Sequence, residues 1–135
     1  MTTFLDSCVL IALLNEDDRL HEWSKEKLFE CKVDGPAVVP DITYCEASVA
    51  MASRKELDEA ITELGLERLR SSDDALFRAG RAYKKYRTDH RGPKLGVLPD
   101  FLIGATAEVH GGPLLTDNKK DFVKYFPDVE IVSKA

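Results

Sequence analysis

The chain is poor in the residues that usually announce a site. Cysteine occurs three times, at Cys8, Cys31 and Cys45, an odd number with no CxxC spacing. That excludes a disulfide framework or a cysteine zinc site, and leaves buried free thiols in a reducing compartment as the expectation. Histidine is equally sparse: His21, His90 and His110 are widely separated, so no imidazole cluster is available for zinc. His21 reads as a surface residue of a helix, and the other two show no partner spacing. Long apolar runs are missing as well. CVLIALL follows Asp6, has no basic flank and is too short to cross a bilayer. No repeat, low-complexity tract or compositional break divides the chain. The expectation is one domain spanning residues 1–135, soluble, cytoplasmic and without a membrane partner.

What is present suits a globular core. The chain has 135 residues, 44% of them hydrophobic and 32% charged with both signs mixed. A net charge of -5 argues against non-specific nucleic-acid binding by the chain as a whole. It leaves room for an acid cluster that binds cations.

Short apolar runs alternate with helical patterns. TTFLD, AVVP, LERL, PLLTD and VEIVS read as strands. SCVLIALLN, DDRLHEWSKEKLFECK, DITYCEASVAMASRK, ELDEAITELG, SSDDALFRAGRAYKKYRTDHRGPK, LPDFLIGATAEVHGG and NKKDFVKYF read as helices. In the third of these, Asp41 or Thr43 is a possible cap, and Ile42, Cys45, Val49 and Ala52 form an apolar stripe. Such alternation predicts a three-layer α/β/α domain with a mostly parallel central sheet. In such sheets the site lies outside the carboxyl ends of the strands.

Acids fall at those ends. Asp6 follows TTFL, Asp100 opens the LPDFLIGATA helix, and Asp117 follows PLLT with Asp121 one helical turn further on. Each could simply cap the next helix. Glu46 is harder to dismiss, because it lies beside Cys45 at the border of the expected buried face, where a lone carboxylate is costly. Together the acids suggest one site. Converging carboxylates repel, and a hard divalent cation with oxygen ligands removes the repulsion. The chemistry implied is phosphoryl transfer to water activated by Mg2+ or Mn2+.

FLDSCVLIALLN, ITYCEA, PDFLIGATA and LLTDNKKDF occur in an order and spacing that resembles the PIN domain, most closely the small VapC-type toxins of prokaryotic toxin–antitoxin pairs. The resemblance runs from Phe4 to about Val132. It implies a magnesium- or manganese-dependent endoribonuclease in which Asp6 and Asp100 are central metal ligands, Glu46 is the third acid, Asp117 or Asp121 the fourth, and Thr116 the neighbouring hydroxyl. It further implies an RNA substrate, a small antitoxin partner that holds the toxin inactive, and a homodimer. Two positions depart from the family pattern. Cys8 stands where Asn or Ser is usual, and in the last motif Asn118 holds the ligand-like position with Asp117 at the variable one. Both Asp117 and Asp121 therefore stay in the candidate site.

A local reversal of sign adds to this. Arg78, Arg81, Lys84, Lys85, Arg87, Arg91 and Lys94 are opposed only by Asp89. With Ala75, Ala79, Ala82 and Tyr86 inward, Arg78, Arg81 and Lys85 form an outer stripe that could follow a phosphate backbone. Tyr83 or Tyr86 could stack on a base, although core packing is the plainer use. The competing readings are weaker. A phospho-accepting receiver domain needs an acidic pair after the first strand, and a haloacid-dehalogenase-type phosphatase needs an acid where Cys8 stands. A catalytically idle PIN-like scaffold that binds RNA or protein is the remaining alternative.

Overall fold

The structure, a computed structural model, describes residues 1–90 and 95–134. Five strands form one sheet: β1 (Thr3–Leu5), β2 (Ala37–Pro40), β3 (Glu67–Leu69), β4 (Leu114–Leu115) and β5 (Ile131–Val132). Their order is β3-β2-β1-β4-β5, and every pairing is parallel. The chain turns from one side of the sheet to the other at β1, the central strand. The carboxyl ends of β1 and β4 therefore lie side by side, with Phe4 opposite Leu114 and Leu5 opposite Leu115.

The helices are α1 (Ser7–Leu14), α2 (His21–Asp34), α3 (Asp41–Ser48), α4 (Arg54–Glu63), α5 (Asp73–His90), α6 (Leu98–His110) and α7 (Lys120–Val123). They cover both faces of the sheet, which is why its inner strands are buried throughout and largely apolar rather than alternating. On one face Phe4, Val38 and Leu114 pack against Ala79 and Ala82 of α5, Phe101, Ile103 and Ala105 of α6, and Phe122 and Phe126. On the other, Leu5, Ala37, Val39 and Leu115 pack against Val9, Leu10 and Leu13 of α1, Leu28 of α2, Ala47 of α3, and Leu57 and Ile61 of α4. The three-layer α/β architecture holds, and the sheet is parallel in all its pairings.

α6 matters most for the site. Its apolar inner face anchors it, Gly104 lets it approach the Phe126 ring, and Gly111 ends it in the left-handed conformation at φ 71°. A Cβ at Gly104 would lie 2.6 Å from that ring.

Four local expectations fail. The stretch from Asp41 to Lys55 is not one helix: α3 stops at Ser48, and α4 starts afresh with Ser53 as its cap. The Ser53 hydroxyl accepts from the Glu56 N–H at 3.1 Å, and Glu56 accepts from the Ala52 N–H at 3.2 Å, a variant of the capping box whose return bond falls one residue before the cap. The SRKE spacing carries that signal. Consequently the stripe of Cys45, Val49 and Ala52 faces solvent, and the buried residues of α3 are Thr43 and Ala47. Neither Asp41 nor Thr43 caps α3: Pro40 holds the cap position, while Thr43 donates to the Leu5 carbonyl at 2.7 Å. The thiols are not all buried: Cys45 is exposed, and Cys8 and Cys31 are half-buried. His21 is not a surface residue, since its Nδ1 sits 2.7 Å from the Ala12 carbonyl and its ring is mostly covered.

Candidate active site

The site grows from β1. Asp6 follows the strand and serves as the cap of α1, its Oδ1 accepting from the Ser7 N–H at 2.8 Å. Its other oxygen, Oδ2, accepts from the Thr116 hydroxyl at 2.6 Å, which ties the ends of β1 and β4 together. The Cys8 thiol donates to the same oxygen at 3.5 Å. Asp6 is only 2% exposed. Burial pushes its carboxyl above the usual range, against the pull of the bonds from Thr116, Ser7 and Cys8. The same burial, reinforced by the Asp6 charge, pushes the Cys8 thiol up to about 11, so it stays protonated as a donor.

Glu46 reaches the site from α3 by a different route from the one its neighbour Cys45 suggests. Cys45 faces out, whereas Ala47 is buried, and Glu46 lies between them, half-buried. The Ser7 hydroxyl donates to its Oε1 at 2.6 Å. Ser7 thus links Asp6 and Glu46, a role that only the pairing of α1 with α3 exposes.

Asp100 lies in the first turn of α6 but does not cap it. Val97 holds the cap position, and no side chain bonds the free N–H groups there. Its carboxyl is instead pushed up to about 7, first by burial and then by the charges of Asp6, Asp121 and Glu46. Three carboxylates, from the end of β1, from α3 and from α7, therefore act on Asp100 of α6 across the sheet edge. Asp117 behaves otherwise. It is paired with Arg19, whose Nη2 lies 3.1 Å from its Oδ2. It is not the cap of α7 either, where Lys119 holds that position. The Thr116 hydroxyl also accepts from the Asn118 N–H at 2.9 Å, so the turn after β4 folds back on the same atom that holds Asp6.

Residues 3–126 match the model of the PIN domain. The chain belongs to the PIN domain family. No curated protein matches it in sequence. Among solved structures, this PIN domain is similar to a chain of VapBC2 from Rickettsia felis bound to a DNA fragment from its promoter, with a TM-score of 0.73, 15% identity and 98% of each chain covered. It is similar to a chain of VapBC-1 from nontypeable Haemophilus influenzae at a TM-score of 0.70, 19% identity and 98% of each chain. A chain of a toxin–antitoxin complex from Klebsiella pneumoniae matches at a TM-score of 0.66 and 25% identity, over 97% of this chain and 96% of that one.

The donors of this PIN domain suit a hard cation. They are all oxygens, three carboxylates facing a fourth that burial and then their charges push up. Among the described residues, no three His, Cys, Asp or Glu side chains close into a cage of their own. Magnesium commonly takes one or two carboxylates and fills its shell with water and phosphate oxygens, so it does not require such a cage. A recess of about 830 Å³ under α4, lined by Tyr44, Met51, Leu57 and Ile61 with Arg68 and Arg70, contains none of these acids.

The basic segment divides. Arg78 does not belong to an outer stripe: it pairs with Glu108 of α6 at 2.5 Å, donates to the Tyr125 carbonyl at 2.7 Å and lies over the Phe126 ring. Its position on α5, one residue before the buried Ala79, turns it inward against α6. Arg81 and Lys85 are exposed, with Arg81 over the Phe77 ring. Tyr83 and Tyr86 are half-buried against the core, and Tyr86 meets Phe101 edge-on. Arg91 and Lys94 lie outside the described residues.

Proposed function

We propose that this PIN domain, as the single domain of the chain, is the toxin of a type II toxin–antitoxin pair and hydrolyses RNA phosphodiester bonds as a magnesium- or manganese-dependent endoribonuclease. The observation that carries the reading is the convergence of Asp6, Glu46 and Asp121 on Asp100 at the carboxyl edge of β1 and β4, where burial first and then their charges push the Asp100 carboxyl up to about 7. A protein that only needed a stable edge would have no reason to hold four acids against their own charge. The similarity to VapBC chains and to the Klebsiella toxin–antitoxin chain supports the toxin reading and the expectation of an antitoxin partner.

Asp6 and Asp100 would hold the ion, with Glu46 and Asp121 completing the acidic ring. Bound there, a divalent ion neutralises the phosphate and lowers the pKa of water at the scissile bond. The chain's own work is to aim the oxygens. Thr116 and the Ser7 N–H occupy one lone pair on each Asp6 oxygen, which fixes the carboxylate plane. Ser7 restrains Glu46, leaving its second oxygen to bind an ion or position water. No Ser, Cys or His nucleophile is needed; the protonated Cys8 thiol serves Asp6 as a donor. Cytoplasmic location and a homodimer belong to the same proposal.

The test is cleavage of mixed cellular RNA by purified protein with magnesium, with manganese and with EDTA, beside Asp100→Asn. Discrete cuts that need both the ion and Asp100 are the expected outcome. Ion-independent cutting, or cutting by folded Asp100→Asn at the wild-type rate, overturns the mechanism. A folded, antitoxin-free protein that cuts nothing returns the chain to the idle scaffold.

A further inference from the structure

An acidic ring has to receive a polyanion, and the cations of α5 do not touch it. One cation does approach its rim. Arg19 lies between α1 and α2, and its Nη2 contacts Asp117 Oδ2 at 3.1 Å. Asp117 directly follows Thr116, the residue that holds Asp6. The two partners differ in exposure: the Asp117 side chain is 14% exposed and the Arg19 side chain 75%. So the carboxylate is an inner anchor, and the guanidinium stands outside it with further N–H donors facing solvent.

The loop that presents Arg19 is built to keep its shape. Asn15 Oδ1 accepts from the Asp17 N–H at 3.0 Å, and Asp18 Oδ1 accepts from the Leu20 N–H at 2.9 Å. Leu20 is buried, and His21 at the next position is fastened to the Ala12 carbonyl. Arg19 is therefore flanked by an anchored turn on one side and by buried Leu20 and half-buried His21 on the other. Its neighbours Glu16 and Asp17 are exposed acids, so this loop as a whole does not attract RNA. Any contribution from Arg19 has to come from the local placement of its guanidinium beside Asp117. A guanidinium offers planar, forked donors that match phosphate, and a preordered one loses little entropy on binding.

We propose that Arg19, docked on Asp117 at the rim of the acidic ring, is a substrate-binding residue that takes a phosphate of the RNA strand next to the one being cut. This rests on the ribonuclease reading above. It also assigns Asp117: its work is to aim Arg19, while Asp121 belongs to the ring.

The experiment reads binding without cleavage. A short, labelled, single-stranded RNA of mixed sequence is titrated in EDTA with Asp100→Asn protein, and its affinity is followed as salt is raised. Arg19→Ala in that background is expected to weaken binding about tenfold and to flatten the slope of log affinity against log salt by roughly 0.7, one phosphate contact on a single strand. Arg19→Lys keeps the charge but not the fork and falls between the two. Asp117→Asn, which keeps Arg19 but loosens its anchor, reduces affinity while leaving the slope nearly intact. Unchanged affinity and slope in Arg19→Ala overturn the inference while leaving the nuclease reading, tested by cleavage, untouched. If the parent protein binds no RNA in this assay, the Arg19 inference falls, while the nuclease reading is decided by the cleavage assay. A loss in Arg19→Ala accompanied by an equal loss of thermal stability would assign the pair to folding instead.

Discussion

The sheet edge and helix α5 treat charge in opposite ways. At the edge, like charges from distant segments are gathered: Asp6, Glu46, Asp100 and Asp121 come from four segments, and burial first, then the three neighbouring charges, push the Asp100 carboxyl up to about 7. On α5, opposite charges are matched. Arg78 meets Glu108, and the remaining cations that the structure describes stand in solvent. Sequence alone makes α5 look the more eloquent of the two, since its basic residues are contiguous. The difference teaches that clustering in space against electrostatic cost marks a site, whereas clustering along a helix is mostly a property of its outer face.

Substitutions should widen that contrast, beginning with the largest effect. Removing a ring acid by Asp100→Asn is expected to reduce cleavage by on the order of a thousandfold, measured on RNA under saturating magnesium. Thr116→Val leaves the acids in place but frees one Asp6 oxygen, and ion affinity followed by calorimetry should fall about 10–100-fold. On α5 the loss is of another kind. Arg78→Ala strands Glu108 and the Tyr125 carbonyl, which should lower stability by about 1–3 kcal/mol in urea unfolding without changing RNA affinity.

Metal-free stability gives a subtler handle. The folded carboxyl of Asp100 titrates above its unfolded value, so folding favours its protonated form. The fold is least penalised below about pH 4, and the penalty grows until the pH passes about 7. Stability should therefore fall across that window, by about 1–2 kcal/mol for Asp100 once its partial exposure is allowed for. Asp100→Asn should flatten the fall when thermal unfolding is followed in EDTA. A metal-free protein whose stability rises steadily from pH 4 to 7 would contradict the picture of repelling acids. Arg81→Ala and Lys85→Ala sit at the small end, with less than about a threefold change in RNA affinity expected. A larger loss would restore α5 as a nucleic-acid surface.

The legibility of this chain follows from which signals are local. Short apolar runs bounded by acids, glycine or proline mark β1, β2 and β4, because a strand covered on both faces needs no alternation. The strand-end positions of Asp6 and Asp117 follow from the same runs. The break between α3 and α4 was also local, written in Ser53 and Glu56, but an apolar stripe across it looked like one continuous helix. Other facts depended on partners far away in sequence. Ser7 meets Glu46 39 positions on, and Thr116 meets Asp6 across 110. Arg78 turns inward because Glu108 is there to receive it, and Asp117 meets Arg19 98 positions away.

By itself, then, the sequence determined the elements, the parallel layered class and the acids at the strand ends, since propensity, apolar runs and turn residues act within a few positions. Only the tertiary structure decided which acids share a field, which cations are free and which hydroxyls aim the carboxylates. Those are properties of distance through space, and they come into existence when β1 and β4 are laid side by side.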